Sequence, residues 1–129
     1  IKRYYNILKG ADMLLLRTGF YAYRNTHQYG AHNPGISPDA ATFIRMNLGN
    51  IKCLGIDSVS VSSYSNRKSG RETHQIFFND SFKSEPMRLI EDMDLSGGFD
   101  GLKEVYVFPL FIDGIDSSPC TVLGVFRKG

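Results

Sequence analysis

Long apolar runs are missing from this chain. None approaches the ~20 residues of a membrane span. The opening IKRYYNILKG places no apolar segment behind its charges, so no signal-peptide pattern is read there. A charge excess is missing as well. A net charge of +2 is too small to argue for nucleic acid or an anionic membrane surface as partner. The seven tyrosines and nine phenylalanines are scattered, not interleaved with a basic patch. Cysteine is scarce: only Cys53 and Cys120, with no CxxC, which removes zinc-ribbon and redox motifs. Each lies in an apolar run. The expectation is two buried free thiols in a reducing, cytoplasmic setting, with a disulfide as the alternative. No internal repeat and no low-complexity tract occurs.

What is there has the balance of one globular domain: 129 residues, 42% hydrophobic and 22% charged. Ile1 to Leu8 carries apolar residues at helical spacing, and Gly10 is a reasonable stop. Met13 to Leu16 is a continuous apolar run, as in a strand covered on both faces. Arg17-Thr18-Gly19-Phe20 then makes a polar turn at that strand's end. The segment 21–36 reads as a long loop, with His27 and His32 exposed on it. Ser37-Pro38-Asp39 is a helix start, with a capping hydroxyl, a proline at the first position and an acid at the positive end. Ile51 to Ile56 follows as a second strand, which makes a βαβ-like order.

Further on, 62–70 reads as a surface loop with solvated Arg67 and Lys68, and 73–78 as a short helix. The expected strands are 13–17, 52–56, 87–91, 104–111 and 120–126, gathered in one mixed sheet. The last two are close enough to pair across the GIDSSP turn, and Pro109 marks an edge or a bulge. Because the first residue is Ile1 and a buried strand follows soon after, the chain reads as cut from something longer.

Three residues carry the candidate chemistry. His74 sits in a short apolar run, and Glu91 closes another, RLIE, seventeen positions later. Imidazole nitrogen and carboxylate oxygen both suit zinc or manganese. Taken alone, such a histidine reads as structural and such a glutamate as solvated. Asp57, at the carboxyl end of the second strand, is either a functional carboxylate or a turn former bonded to its own backbone.

Several pieces in order resemble the cyclase family of metal-dependent hydrolases, whose best-known members are bacterial kynurenine formamidases (arylformamidases) of tryptophan catabolism. They are DMLLLRTGF at 12–20, PGISPDAATFI at 34–44, IKCLGIDSVSV at 51–61, then His74, RLIEDMDLS at 88–96 and VYVFPLFIDGIDSSPCTVLGV at 105–125. The resemblance implies an α/β fold of the swivelling β/β/α type, a mixed sheet flanked by helices. Residues 1–129 would be the C-terminal portion of one such domain. It also implies a zinc or manganese site with His74 and Glu91 among its ligands, hydrolysis of a small-molecule amide or formamide with metal-bound water as nucleophile, and a homo-oligomer. His74 and Glu91 should then face one cleft. The insert NDSFKSEP lengthens the usual interval between them.

The family's N-terminal metal motif, His-x-Gly-Thr-His-x-Asp, is absent from these 129 residues, and HQYGAH at 27–32 does not replace it. No residue is therefore assigned as catalytic, and the chain by itself is expected to be inactive. Two other readings stand beside this one: a non-catalytic remnant, or a small-molecule binding or assembly module using the RTGF strand end and the 21–36 segment.

Overall fold

The computed structural model describes residues 2–127. The chain is α/β and divides into two compact units, Ile1–Ser96 and Gly97–Gly129. In the first, a 3-10 turn at Lys2–Tyr4 runs into a short helix α1 (Tyr5–Leu8), followed by strand β1 (Met13–Leu16). A second 3-10 turn (Phe20–Tyr23) and helix α2 (His27–Ala31) precede α3 (Pro38–Asn47) and β2 (Cys53–Ile56). After a 3-10 turn at Tyr64–Asn66 come α4 (Arg67–Phe78) and β3 (Arg88–Ile90).

These three strands form a parallel sheet in the order β1-β2-β3, with Leu14 opposite Leu54 and Leu54 opposite Leu89. Parallel neighbours need long crossovers. Here they carry α2 and α3 on the first connection and α4 on the second. The central strand has no room for side chains at one point. A Cβ on Gly55 would meet Leu15 Cδ2 at 2.8 Å, with the Met93 sulfur closer still.

The core follows from sequence spacing. Ala41, Ile44 and Leu48 lie along one side of α3, and they pack with Leu14, Leu54, Ile56, Val61, Phe77 and Met87. The α3 cap is built as expected: Ser37 Oγ accepts from Ala40 N–H at 3.2 Å. In α4 the buried residues are Gly70, Thr73 and Phe77, again at helical spacing. Thr73 Oγ1 donates to the carbonyl of Ile36 at 2.7 Å, which ties the helix to the segment before α3.

The second unit is an antiparallel hairpin of β4 (Leu102–Pro109) and β5 (Cys120–Phe126), with Pro109 opposite Cys120. Pro109 is the last residue of its strand, where a missing N–H costs least, and the irregularity falls at Leu102/Glu104.

Four expectations change. Among the described residues the five strands lie in two sheets, β1-β2-β3 and β4-β5, not in one mixed sheet. The 21–36 segment holds helical turns, since Tyr29 is buried and stacks on Phe20, which outweighs the weak helix propensity of Gly30. The helix expected at 73–78 starts at Arg67, capped by Asn66, whose Oδ1 accepts from Ser69 N–H. Where two buried thiols were expected, Cys120 is exposed and Cys53 half-buried. A two-stranded hairpin gives Cys120 no inner position.

Candidate functional site

Glu91 follows the last residue of β3, so the parallel strand delivers it to the carboxyl end of the sheet, where sites in α/β folds tend to lie. His74 comes from α4, one residue beyond the buried Thr73. The two meet: His74 Nε2 lies 3.3 Å from Glu91 Oε1, and each side chain is about one-third exposed (32% and 31%). The two side chains are therefore in direct contact.

A loop of serines holds both. Glu91 Oε1 also accepts from Ser60 Oγ and from Val61 N–H, each at 2.8 Å. His74 Nδ1 lies 2.7 Å from Ser62 Oγ and 3.2 Å from the carbonyl of Gly70. The loop itself is clamped by Asn33, almost fully buried, whose amide donates to the carbonyls of Ser60 and Ser62 while its Oδ1 accepts from Tyr64 N–H.

This environment separates the two ionisations. The Glu91 carboxylate beside His74 raises the imidazole above its ordinary value, and burial opposes this only in part. For Glu91, burial pushes the carboxyl up. The hydrogen bonds from His74, Val61 N–H and Ser60 together outweigh it and hold the group below the usual range.

The turn after Glu91 is strapped down as well. Asp92 has φ +59°, a conformation that Asp tolerates better than most residues. Its N–H donates to the carbonyl of Ser58 at 2.8 Å. Its carboxylate pairs with Arg24 at 2.9 Å and accepts from the Tyr29 hydroxyl. Arg24 also donates to the carbonyls of Asp92 and Met93. Burial, with Asp92 adding to it, pushes the Tyr29 hydroxyl up to about 12, so it stays a donor. Arg24, Tyr29 and Asn33 have no motif that announces them. In sequence they are polar and aromatic residues in an apparent loop.

Asp57 holds a turn, but that of another strand. It is fully buried, and Oδ1 accepts from Thr18 N–H at 2.8 Å and Thr18 Oγ1 at 2.6 Å, while Oδ2 accepts from Gly19 N–H at 2.8 Å. It therefore locks the β1 turn, where Gly19 has φ +81°, instead of bonding its own backbone. His27 and His32 are exposed, His27 as the first residue of α2 rather than on a loop.

The metal that the family resemblance implies finds a partial fit. His74 and Glu91 converge with ligand atoms facing one another. Among the described residues, however, no group of three or more His, Cys, Asp or Glu side chains is placed to hold a metal ion. The pair fits as two members of a ligand set and does not make one.

No curated protein and no solved structure matches the chain. Residues 2–63 match the family model described as Putative cyclase, a stretch that carries β1, α3, β2 and the serines at 58–63, and that ends before His74 and Glu91.

Proposed function

We propose that this chain supplies the His74–Glu91 flank of a metal-dependent hydrolase site acting on amide or formamide bonds, of the arylformamidase type. The observation that carries the reading is the 3.3 Å approach of His74 Nε2 to Glu91 Oε1 from two separate elements. The family match over residues 2–63 supports it from the other side of the same fold unit. Zinc or manganese is the cation that this donor pair suits, and when bound it supplies the Lewis acidity for hydrolysis. The remaining ligands would come from outside the described residues or from a second copy in a homo-oligomer. Glu91, ionised at neutral pH, offers the charge, and the ring of His74 offers Nε2. The Ser60–Ser62 loop fixes both groups in place before any cation arrives, so little reorganisation is needed.

The test is complementation. This chain alone should not hydrolyse N-formylkynurenine above background. Mixed with a segment carrying His-x-Gly-Thr-His-x-Asp, it should gain zinc- or manganese-dependent turnover, and Glu91→Gln should remove that gain. Robust metal-dependent turnover by the 129-residue chain alone would overturn the division of the site.

A second reading, small-molecule binding without chemistry, has its own observation. A cleft of about 370 Å³ lies between the β1 end and the segment before α3, walled by Leu15, Leu16, Thr18, Pro34 and Ile36. That volume is within the range of small-ligand sites. A ligand that shifts Thr18 and Ile36 resonances equally in the wild type and in Glu91→Gln would favour it.

A further inference from the structure

We propose that Ser62 is the positioning residue for His74, and that its hydroxyl serves because it can either donate to or accept from Nδ1. Three observations meet at this point. Ser62 Oγ is 2.7 Å from His74 Nδ1, the shortest polar contact the ring makes. Its backbone is pinned, with Ser62 N–H donating to Ser60 Oγ at 3.0 Å and its carbonyl accepting from Asn33. The helix comes close enough only because residue 70 lacks a side chain: a Cβ on Gly70 would meet Ser62 Cβ at 2.6 Å and Ser62 Oγ at 2.7 Å.

The ring has two partners on one side and one on the other. Nε2 faces a carboxylate oxygen, which only accepts. With a proton on Nε2 and a neutral ring, Nδ1 is a bare lone pair, and Ser62 O–H can donate to it. When Nε2 gives its lone pair to a cation, the proton must sit on Nδ1, and Ser62 Oγ or the Gly70 carbonyl then accepts it. A carbonyl or a carboxylate at this place would serve the second state only. The hydroxyl keeps the ring in one orientation through both. The ring is held by Ser62 with or without a cation; the cation-bound state rests on the metal reading above.

The experiment uses the full chain with ¹⁵N-labelled histidine and no metal, at alkaline pH where imidazole is neutral. The ¹⁵N shifts of the two ring nitrogens report the tautomer. In the wild type the Nε2–H form should dominate. In Ser62→Ala the ratio should move about fivefold toward the Nδ1–H form, the equivalent of one ordinary hydrogen bond. Gly70→Ala, whose Cβ displaces Ser62, should move it in the same direction. Neither change is expected of a substitution that only loosens the fold, and the backbone amide spectrum checks that the fold is kept. An unchanged tautomer ratio in folded Ser62→Ala would overturn the proposal, whatever zinc does. Failure of zinc to bind any of the three proteins, with the tautomer shift present, would instead count against the metal reading alone.

Discussion

Glu91 Oε1 accepts from three donors, and two of them, Ser60 and Val61 N–H, belong to the same loop. That concentration makes the His74–Glu91 pair responsive to pH. The histidine's value is raised by folding, so its contribution is full below its ordinary 6.5 and is lost as pH rises through the higher folded value. The glutamate's value is lowered, so its contribution is full above its ordinary 4.5 and is lost as pH falls through the lower folded value. The pair therefore stabilises most between 4.5 and 6.5. Urea unfolding of wild type and Glu91→Gln should differ by about 1 kcal/mol or less in that window, since both groups are partly open to water, and the difference should shrink as pH rises through the folded value of His74 or falls through that of Glu91. A difference that grows toward alkaline pH would contradict the assignment. Asp57 works differently. Its carboxylate satisfies three donors of the β1 turn inside the fold. Asp57→Ala should cost about 2–3 kcal/mol in urea unfolding, with Thr18 and Gly19 amides losing exchange protection. Loss of less than about 0.5 kcal/mol, the range of a plain surface change, would show that water replaces it freely.

At the scale of elements, the insert between His74 and Glu91 is an ordered strap. Arg45, buried on α3, sends its guanidinium to the carbonyls of Asn79, Ser84 and Glu85 and lies over the Phe82 ring. Only its Nε lacks a partner among the described residues. This strap precedes Met87, whose N–H donates to the Phe77 carbonyl, so it sets where β3 begins and where Glu91 ends up. Arg45→Met should destabilise the chain by about 2–3 kcal/mol, because three carbonyls lose a shared donor. Arg45→Lys should not restore it, since an ammonium lacks the planar fork. Hydrogen exchange over 79–87 is the readout, and unchanged protection in Arg45→Met would refute the role.

The same elements mark what could be read from the chain itself. The Ser37-Pro38-Asp39 cap and the strands at 13, 53 and 88 depend on neighbouring residues and on apolar runs, and these were legible. Arg45 was not, because an arginine among helical apolar residues looks the same whether it points to water or to a strap 34 residues on. The division into two sheets was equally out of reach, since strand pairing is decided by contacts distant in sequence. The convergence of His74 and Glu91 was expected from an ordered series of resembling segments, and the two side chains do meet. The serines, Asn33, Arg24 and Tyr29 that hold them have no spacing that separates them from loop residues.

At the scale of the whole molecule, the β4–β5 hairpin bears on assembly. Tyr106, Phe108, Leu123 and Phe126 are exposed on it, and an isolated two-stranded hairpin is marginal in water. We expect the chain to self-associate through such edges and faces. Light scattering should give a mass above one chain at high concentration, and Phe108→Ser should lower it; a one-chain mass throughout would contradict this.

The central claim is that His74 and Glu91 serve one cation. Zinc calorimetry on the metal-free chain, run beside His74→Ala and Glu91→Gln, tests it most directly. The account predicts weak one-site binding in the wild type and affinity lower by about tenfold or more in each variant. Equal zinc affinity in all three folded proteins would contradict it.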